Sequence, residues 1–380
     1  MGYLSFLRKQ ESNKMETILK LKNILKQKNL DALLVSSVPN IIYLTGFNGF
    51  STEEREAFLL ITTKDSFLFT DTRYSEAVRT QIPFVELVAR KQGEKLKDQL
   101  QDILTKEKVK QIGFEEKNIS VFEYKRLFRF DDSNHRSILI PADNLIDQMR
   151  VTKDSQEIEA IEKACKAGDE TFKHILNKIK TGVSEKELAF EIEKYIKQSG
   201  TDISFDPIVA FSQNSAIPHH KPNDQRLKAK DIILLDFGVK LNEYCSDMTR
   251  TLFFGKAGEK QKHMYQTVLK AQQKSIEALT SVKSGLSAKT LDNIARKHII
   301  SQGYPSIPHS LGHGIGIEVH EAPRLSPTSK ELIKPGMVFS VEPGIYLSNF
   351  GGVRIEDLVV IEKKGPRLLT NSPKELIEVY

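Results

Sequence analysis

Between Met15 and Leu25 apolar residues recur at helical spacing, with Ile18, Leu21, Ile24 and Leu25 set among lysines and polar residues. The chain then switches to short continuous apolar runs, at residues 32–35, 57–61 and 66–69, which have the length of buried strands. This alternation predicts a small α/β domain. Over residues 138–154 the pattern changes again. Pro141 closes an apolar run, and Asp154-Ser155-Gln156-Glu157 spells a capping box ahead of a long amphipathic stretch. A boundary near residue 148 follows, with a first domain over 15–148, a second over 149–380, and residues 1–14 as an N-terminal extension read as a solvated tail.

The second part repeats itself at an offset of 103 residues. Lys180-Thr181-Gly182-Val183-Ser184 returns as Lys283-Ser284-Gly285-Leu286-Ser287, Leu188 as Leu291, Ile196 as Ile299 and Gly200 as Gly303. Each copy follows an amphipathic helix, over about 155–179 and about 259–281, and supplies a second helix capped by serine and ended by glycine. Chance sharing of cap residues explains one match better than a whole series at one offset. Two similar helix-helix-sheet halves imply a pseudo-twofold α+β domain with a cleft where the halves meet.

Both halves carry paired carboxylates. Ile232-Ile233-Leu234-Leu235 ends in Asp236, and the chain reaches Asp247 after Lys240-Leu241-Asn242-Glu243, a polar turn. An unbulged hairpin centred at 241.5 sets Asp236 directly opposite Asp247. Glu342 closes residues 337–341, and Glu356 lies beyond Phe350-Gly351-Gly352, so a hairpin centred on Asn349 opposes the two glutamates. Like charges facing one another across strands are destabilising, and Asp236 ends a run where an unpaired charge is costly. Four carboxylates would be neutralised by two divalent cations, held about 3.5–4 Å apart as in two-metal sites. Of nine histidines, His219 and His220 fall together, as do His309 and His313, with His320 seven residues beyond His313. Gly312 and Gly314 flank His313, which points to close approach by backbone or ligand. Residues 315–319 alternate like a strand, so His320 shares a face with His313 only across a bulge.

Composition narrows the partners. Of the net charge of +6, residues 1–30 supply +5, from seven Lys/Arg against Glu11 and Glu16, so a nucleic-acid-binding face has little support. Cys165 and Cys245 cannot form a disulfide framework. Apolar runs are too short for a membrane span or a signal peptide, so a soluble cytoplasmic protein with no membrane partner is expected. Gly312-His313-Gly314-Ile315-Gly316 lacks the G-x-G-x-x-G spacing of a dinucleotide loop, and Asp236-Phe237-Gly238 has no H-R-D loop upstream, which excludes a kinase.

Five segments resemble the ligand motifs of the pita-bread metallopeptidases, the family of prolidase, aminopeptidase P, methionine aminopeptidase and the metal-free creatinase. They are Leu235-Asp236-Phe237-Gly238, Ser246-Asp247-Met248-Thr249-Arg250-Thr251, Gly312-His313-Gly314-Ile315-Gly316, Val341-Glu342-Pro343-Gly344-Ile345-Tyr346 and Gly352-Val353-Arg354-Ile355-Glu356-Asp357. The first domain is similar to creatinase-type N-terminal domains through Tyr43-Leu44-Thr45-Gly46-Phe47 and Asp71-Thr72-Arg73-Tyr74. Residues 204–210 with Pro218-His219 look like the substrate-side strand. The resemblance implies an α+β chain, a creatinase-like α/β domain ahead of a pita-bread domain, acting as an Xaa-Pro aminopeptidase or Xaa-Pro dipeptidase on peptides with proline second. It implies metal ligands Asp236, Asp247, His313, Glu342 and Glu356, with Asp247 and Glu356 bridging, and a metal-bridging hydroxide as nucleophile. Glu342 would accept the proton, His320 would stabilise the oxyanion, and His219 would act beside them. His309 and Arg354 would bind substrate, Arg354 by meeting its far end or by orienting Glu356, while His220 is a neighbour without a counterpart.

One nitrogen and four carboxylates form a hard ligand set that favours manganese, with cobalt, iron or zinc as alternatives. A homodimer is implied, in which the first domain closes over a neighbour's cleft; Phe47-Asn48-Gly49-Phe50 is its one sign in the sequence. The competing reading is a non-catalytic pita-bread protein that binds proteins or nucleic acid, which would ordinarily have lost ligands.

Overall fold

The computed structural model describes residues 2–128, 137–142 and 144–380; the side chains of 2–10 and 282–284, which include Lys283 and Ser284 of the repeat, lie outside the description. The chain divides into two compact units, Met1–Arg150 and Val151–Tyr380. No helix among the described residues is long and apolar enough to cross a membrane.

In the first unit the residues expected as a tail form, from Gly2 on, the start of one helix, Gly2–Gln27. Lys14 in this helix donates to the Tyr43 carbonyl at 2.8 Å. The apolar runs become strands β1 (Ala32–Val35), β2 (Phe58–Thr62) and β3 (Ser66–Asp71), followed by β4 (Glu86–Arg90), β5 (Gln111–Phe114) and β6 (Ile138–Pro141). They form one mixed sheet in the order β4-β3-β2-β1-β5-β6. Leu34, Leu60 and Phe67 pack on one face against Leu100 and Leu104. Phe47 and Phe50 correct an expectation. Their rings lie 4.7 Å apart, Phe50 meets Tyr74 at 5.0 Å, and both phenylalanines are buried, so they offer nothing to a partner.

The second unit is built as the repeat predicts. Its first helix, Ser155–Leu176, starts in the expected capping box, with the Asp154 carboxylate accepting from the Gln156 and Glu157 backbone and Glu157 returning to the Asp154 N–H. Its second, Glu185–Gln198, begins and ends 103 residues before Ala288–Ser301. Ser184 and Ser287 cap the pair. Gly182 and Gly285 take φ of +82° and +79°, and Gly200 and Gly303 take +76° and +83°, a left-handed conformation that a side chain would strain.

The first half continues with β7 (Asp202–Ile203), β8 (Ile208–Phe211), β9 (Ile232–Phe237), β10 (Val239–Leu241), β11 (Tyr244–Cys245) and β12 (Met248–Phe254). The second adds β13 (Gly312–Gly314), β14 (Glu321–Leu325), β15 (Val338–Val341), β16 (Gly344–Leu347), β17 (Gly351–Arg354), β18 (Asp357–Glu362), β19 (Gly365–Leu368) and β20 (Glu378–Val379). Sheets β20-β12-β9-β8 and β14-β13-β15-β18-β19 are the larger ones, beside two smaller sheets, β11-β10-β7 and β16-β17. Ile233 and Leu235 on β9 pack with Phe172, Leu188 and Ile192 of the first helix pair. Phe339 and Val341 on β15 pack with Val268, Leu291 and Ile299 of the second. Each such fully buried side chain contributes about 1.5–3 kcal/mol. The continuous apolar runs that end at the carboxylates are therefore anchored on helices.

Candidate metal centre

Strand register decides which carboxylates meet. In the second half Val341 pairs with Asp357 and Gly344 with Arg354, so Glu342 and Glu356, in the gap between the ladders, oppose one another about residue 349 as expected. In the first half the hairpin turns one residue later than expected. Asn242 and Glu243 both take positive φ, +48° and +68°, a two-residue turn that pairs Leu241 with Tyr244 and Asp236 with Thr249. Asp247 thus sits diagonally from Asp236. A displacement of two residues preserves the face, so the two aspartates still converge.

His313 enters from β13, whose neighbours approach closely. A Cβ on Gly312 would lie 2.0 Å from the Ser340 carbonyl oxygen, and one on Gly314 2.1 Å from that of Ala322. The His313 Nδ1 donates to the Gly314 carbonyl at 3.1 Å, which leaves the Nε2 lone pair facing Glu342 Oε1 at 3.4 Å and Asp247 Oδ2 at 3.6 Å. Burial lowers its pKa to about 4, so the ring is neutral. A lone pair aimed at carboxylate oxygens is repulsive unless a cation or a proton lies between them.

The carboxylates share this feature. Asp236 Oδ1, Asp247 Oδ1 and Glu356 Oε1 are buried with no hydrogen-bond partner among the described residues. Their companion oxygens are better served: Arg354 Nη2 donates to Asp236 Oδ2, and Thr249 Oγ1 to Glu356 Oε2 at 2.7 Å. Ligand atoms of Asp247, His313 and Glu356 all lie within 4.8 Å of one another. Burial, reinforced by neighbouring negative charge, raises the carboxyls of Asp247 and Glu342 well above their ordinary range and that of Glu356 to about 8. Unpaired buried oxygens are costly, and converging ones suit hard divalent cations. The donor set therefore fits metal, with Asp236, Asp247, His313, Glu342 and Glu356 as the residues able to hold it.

The cluster floors a cavity of about 560 Å³, lined also by Phe205, Ile208, Pro218, His219, His309, Val319, His320 and Arg324. His219 and His320 are exposed to it. The strand expected over 315–319 does not form. Residues 316–320 bend back so that β14 runs antiparallel beside β13, and a register shift between His313 and Gly314 brings the His320 ring 4.3 Å from that of His313. His309 is half-buried with both nitrogens engaged, Nδ1 on the Ser310 carbonyl at 2.8 Å and Nε2 on the Tyr346 hydroxyl at 2.9 Å. Arg354 is buried and directs its donors to Asp236, Thr249, Tyr346 and the Pro218 carbonyl. It orients Asp236 where the sequence pointed to Glu356. His220 turns away and bonds Glu185 at 2.7 Å.

Thr249, Tyr346 and Arg324 were not anticipated. Tyr346 left a trace, since the hairpin centre at 349 pairs it with Gly352, where a Cβ would lie 2.8 Å from its ring. Thr249 and Arg324 left none, because their roles depend on chain turns the local sequence does not announce.

The profile of "Metallopeptidase family M24" matches residues 159–363, and that of "Creatinase/Prolidase N-terminal domain" residues 18–152. A Bacillus subtilis (strain 168) protein named "Uncharacterized peptidase YqhT" is 38% identical over 361 residues, 94% of this chain and 98% of its own. The "Xaa-Pro dipeptidase" of Pyrococcus horikoshii is 35% identical over 366 residues, 95% of this chain and 99% of its own. The solved "Xaa-Pro dipeptidase from Bacillus anthracis" superposes with a TM-score of 0.88 at 33% identity, covering 96% of this chain and all of that one.

Proposed function

Because the chain belongs to metallopeptidase family M24, with a creatinase/prolidase N-terminal domain before the peptidase domain, we propose that it is a dinuclear Xaa-Pro dipeptidase. The observation that carries the reading is the buried oxygens of Asp236, Asp247 and Glu356 that have no hydrogen-bond partner among the described residues, with ligand atoms of Asp247, Glu356 and His313 all within 4.8 Å of one another. The names of its relatives supply the substrate class.

Asp236, Asp247, His313, Glu342 and Glu356 would hold two divalent cations, manganese by the hardness of the set. When bound, such a pair would supply Lewis acidity to a peptide carbonyl and to an attacking water. Glu342, whose carboxyl burial holds above its ordinary range, would accept that water's proton. His320, exposed at the cavity beside His313, donates to the carbonyl oxygen as it becomes tetrahedral. His219 faces the same space from the other half, and the His309 ring, fixed through Tyr346, forms a wall. Arg324 is an exposed guanidinium on the cavity lining and suits the free carboxylate of a dipeptide. Two buried free thiols, Cys165 and Cys245, agree with a reducing cytoplasm.

The test is hydrolysis of Xaa-Pro dipeptides against Xaa-Pro-Xaa tripeptides by manganese-reconstituted protein. Dipeptides should be cleaved with the higher kcat/KM. Preference for tripeptides would move the reading to the aminopeptidase P type, and no cleavage of either by protein holding two metals would overturn it. The proposal includes a homodimer, which sedimentation equilibrium at micromolar concentration should detect; a fully active monomer would remove it.

A further inference from the structure

Each of the pseudo-equivalent helices Glu185–Gln198 and Ala288–Ser301 carries a fully buried carboxylate outside the metal cluster, Glu185 on the first and Asp292 on the second. Glu185 accepts four hydrogen bonds from one stretch of chain: at Oε1 from Phe211 N (2.7 Å) and Asn214 Nδ2 (2.9 Å), at Oε2 from His220 Nε2 (2.7 Å) and Asn223 N (3.0 Å). That stretch carries His219 into the cavity. In the other half Asp292 accepts from Leu311 N at 3.1 Å and holds Arg296 through Nε at 2.5 Å and Nη2 at 3.0 Å. The guanidinium in turn donates to the carbonyls of Ile307 and His309. This second stretch carries His309.

We propose that Glu185 and the Asp292–Arg296 pair are positioning residues, one clamp per half, that fix the His219 and His309 loops lining the substrate cavity. The inference rests on the peptidase reading for what the loops contact, but not for the clamp itself. A buried carboxylate with four donors from one loop is specific to that loop's conformation, since any other arrangement strands the charge. The two halves use different residues at different helix positions, Glu185 at the first turn and Asp292 with Arg296 further along, so one inherited contact does not account for both.

Glu185→Gln keeps the shape but puts an amide donor against donors. With full metal content, the variant should lower kcat/KM for an Xaa-Pro dipeptide about 10-fold, mainly through KM, and less than about 2-fold when added to His219→Ala, as expected of residues that act as a unit. Arg296→Lys, which loses the fork, should behave the same way against His309→Ala. Amide hydrogen exchange over 211–223 should accelerate about 10-fold in Glu185→Gln while 232–237 keeps its protection. His220→Ala, which removes one donor, should give a smaller change of the same kind and serves if Glu185→Gln fails to fold. Equal losses in the wild-type and His219→Ala backgrounds, or unchanged exchange over 211–223, would overturn the proposal. A wild-type protein without peptidase activity would overturn the function alone, because the exchange readout needs no substrate.

Discussion

At the residue scale, one oxygen each of Asp236, Asp247 and Glu356 is buried without a hydrogen-bond donor among the described residues. Asp247→Asn and Glu356→Gln each replace an anionic oxygen by an amide donor aimed at the cation position. Both variants should fold, lose activity and hold metal about 10- to 100-fold more weakly, judged by metal analysis after dialysis. Two tightly held metals with near wild-type activity would remove these residues from the ligand set. His320 differs, because its ring borders His313 yet is exposed to the cavity. His320→Ala should retain both metals and its melting temperature while kcat falls roughly 10²- to 10³-fold with a smaller change in KM. An intact kcat with a lowered melting temperature would mark a structural histidine, and lost metal would mark a ligand.

At the element scale, hairpin register and strand spacing set the cluster. Gly312 leaves room for the Ser340 carbonyl, so Gly312→Ala must separate β13 from β15, the strands that place His313 and Glu342. It should destabilise the protein by about 1–3 kcal/mol and weaken metal retention. Gly168→Ala is the control. It lies inside helix Ser155–Leu176, where an added Cβ comes no nearer than 3.6 Å to the Ser246 hydroxyl, so thermal melting should be unchanged or slightly higher. Much of this level was legible, since the repeat located Glu185–Gln198 and Ala288–Ser301 and the glycine-rich turn centred the second hairpin on Asn349. The first hairpin was displaced because Glu243 adopts φ of +68°, a conformation its residue type does not advertise.

At the scale of the whole molecule, metal binding and folding are linked. Burial raises the carboxyls of Asp247 and Glu342, and that of Glu356 to about 8, so the metal-free fold binds protons that the unfolded chain has released. Where the native state binds more protons, stability falls as pH rises. Metal-free protein should therefore melt progressively lower as pH is raised from the ordinary carboxylate range through about 8. Manganese-loaded protein should melt higher and lose most of this slope, because cations take the place of the protons. Thermal melts at several pH values, with and without metal, test this; a metal-free melting temperature that rises over the same interval would contradict it.

Apolar runs ending in carboxylates, capped helices repeated at one offset and glycines beside His313 are local patterns, and local sterics and burial make them readable residue by residue. The two-part organisation, the pseudo-twofold second part, the paired carboxylates and the glycine-flanked His313 were therefore legible in the chain alone. Only the tertiary structure decided that Arg354 pairs with Asp236, 118 positions away, that Thr249 donates to Glu356, and that His320 folds back against His313. Those contacts depend on the directions of side chains from separate strands, and a turn displaced by one residue or a bulge in one ladder changes the partner without changing the pattern.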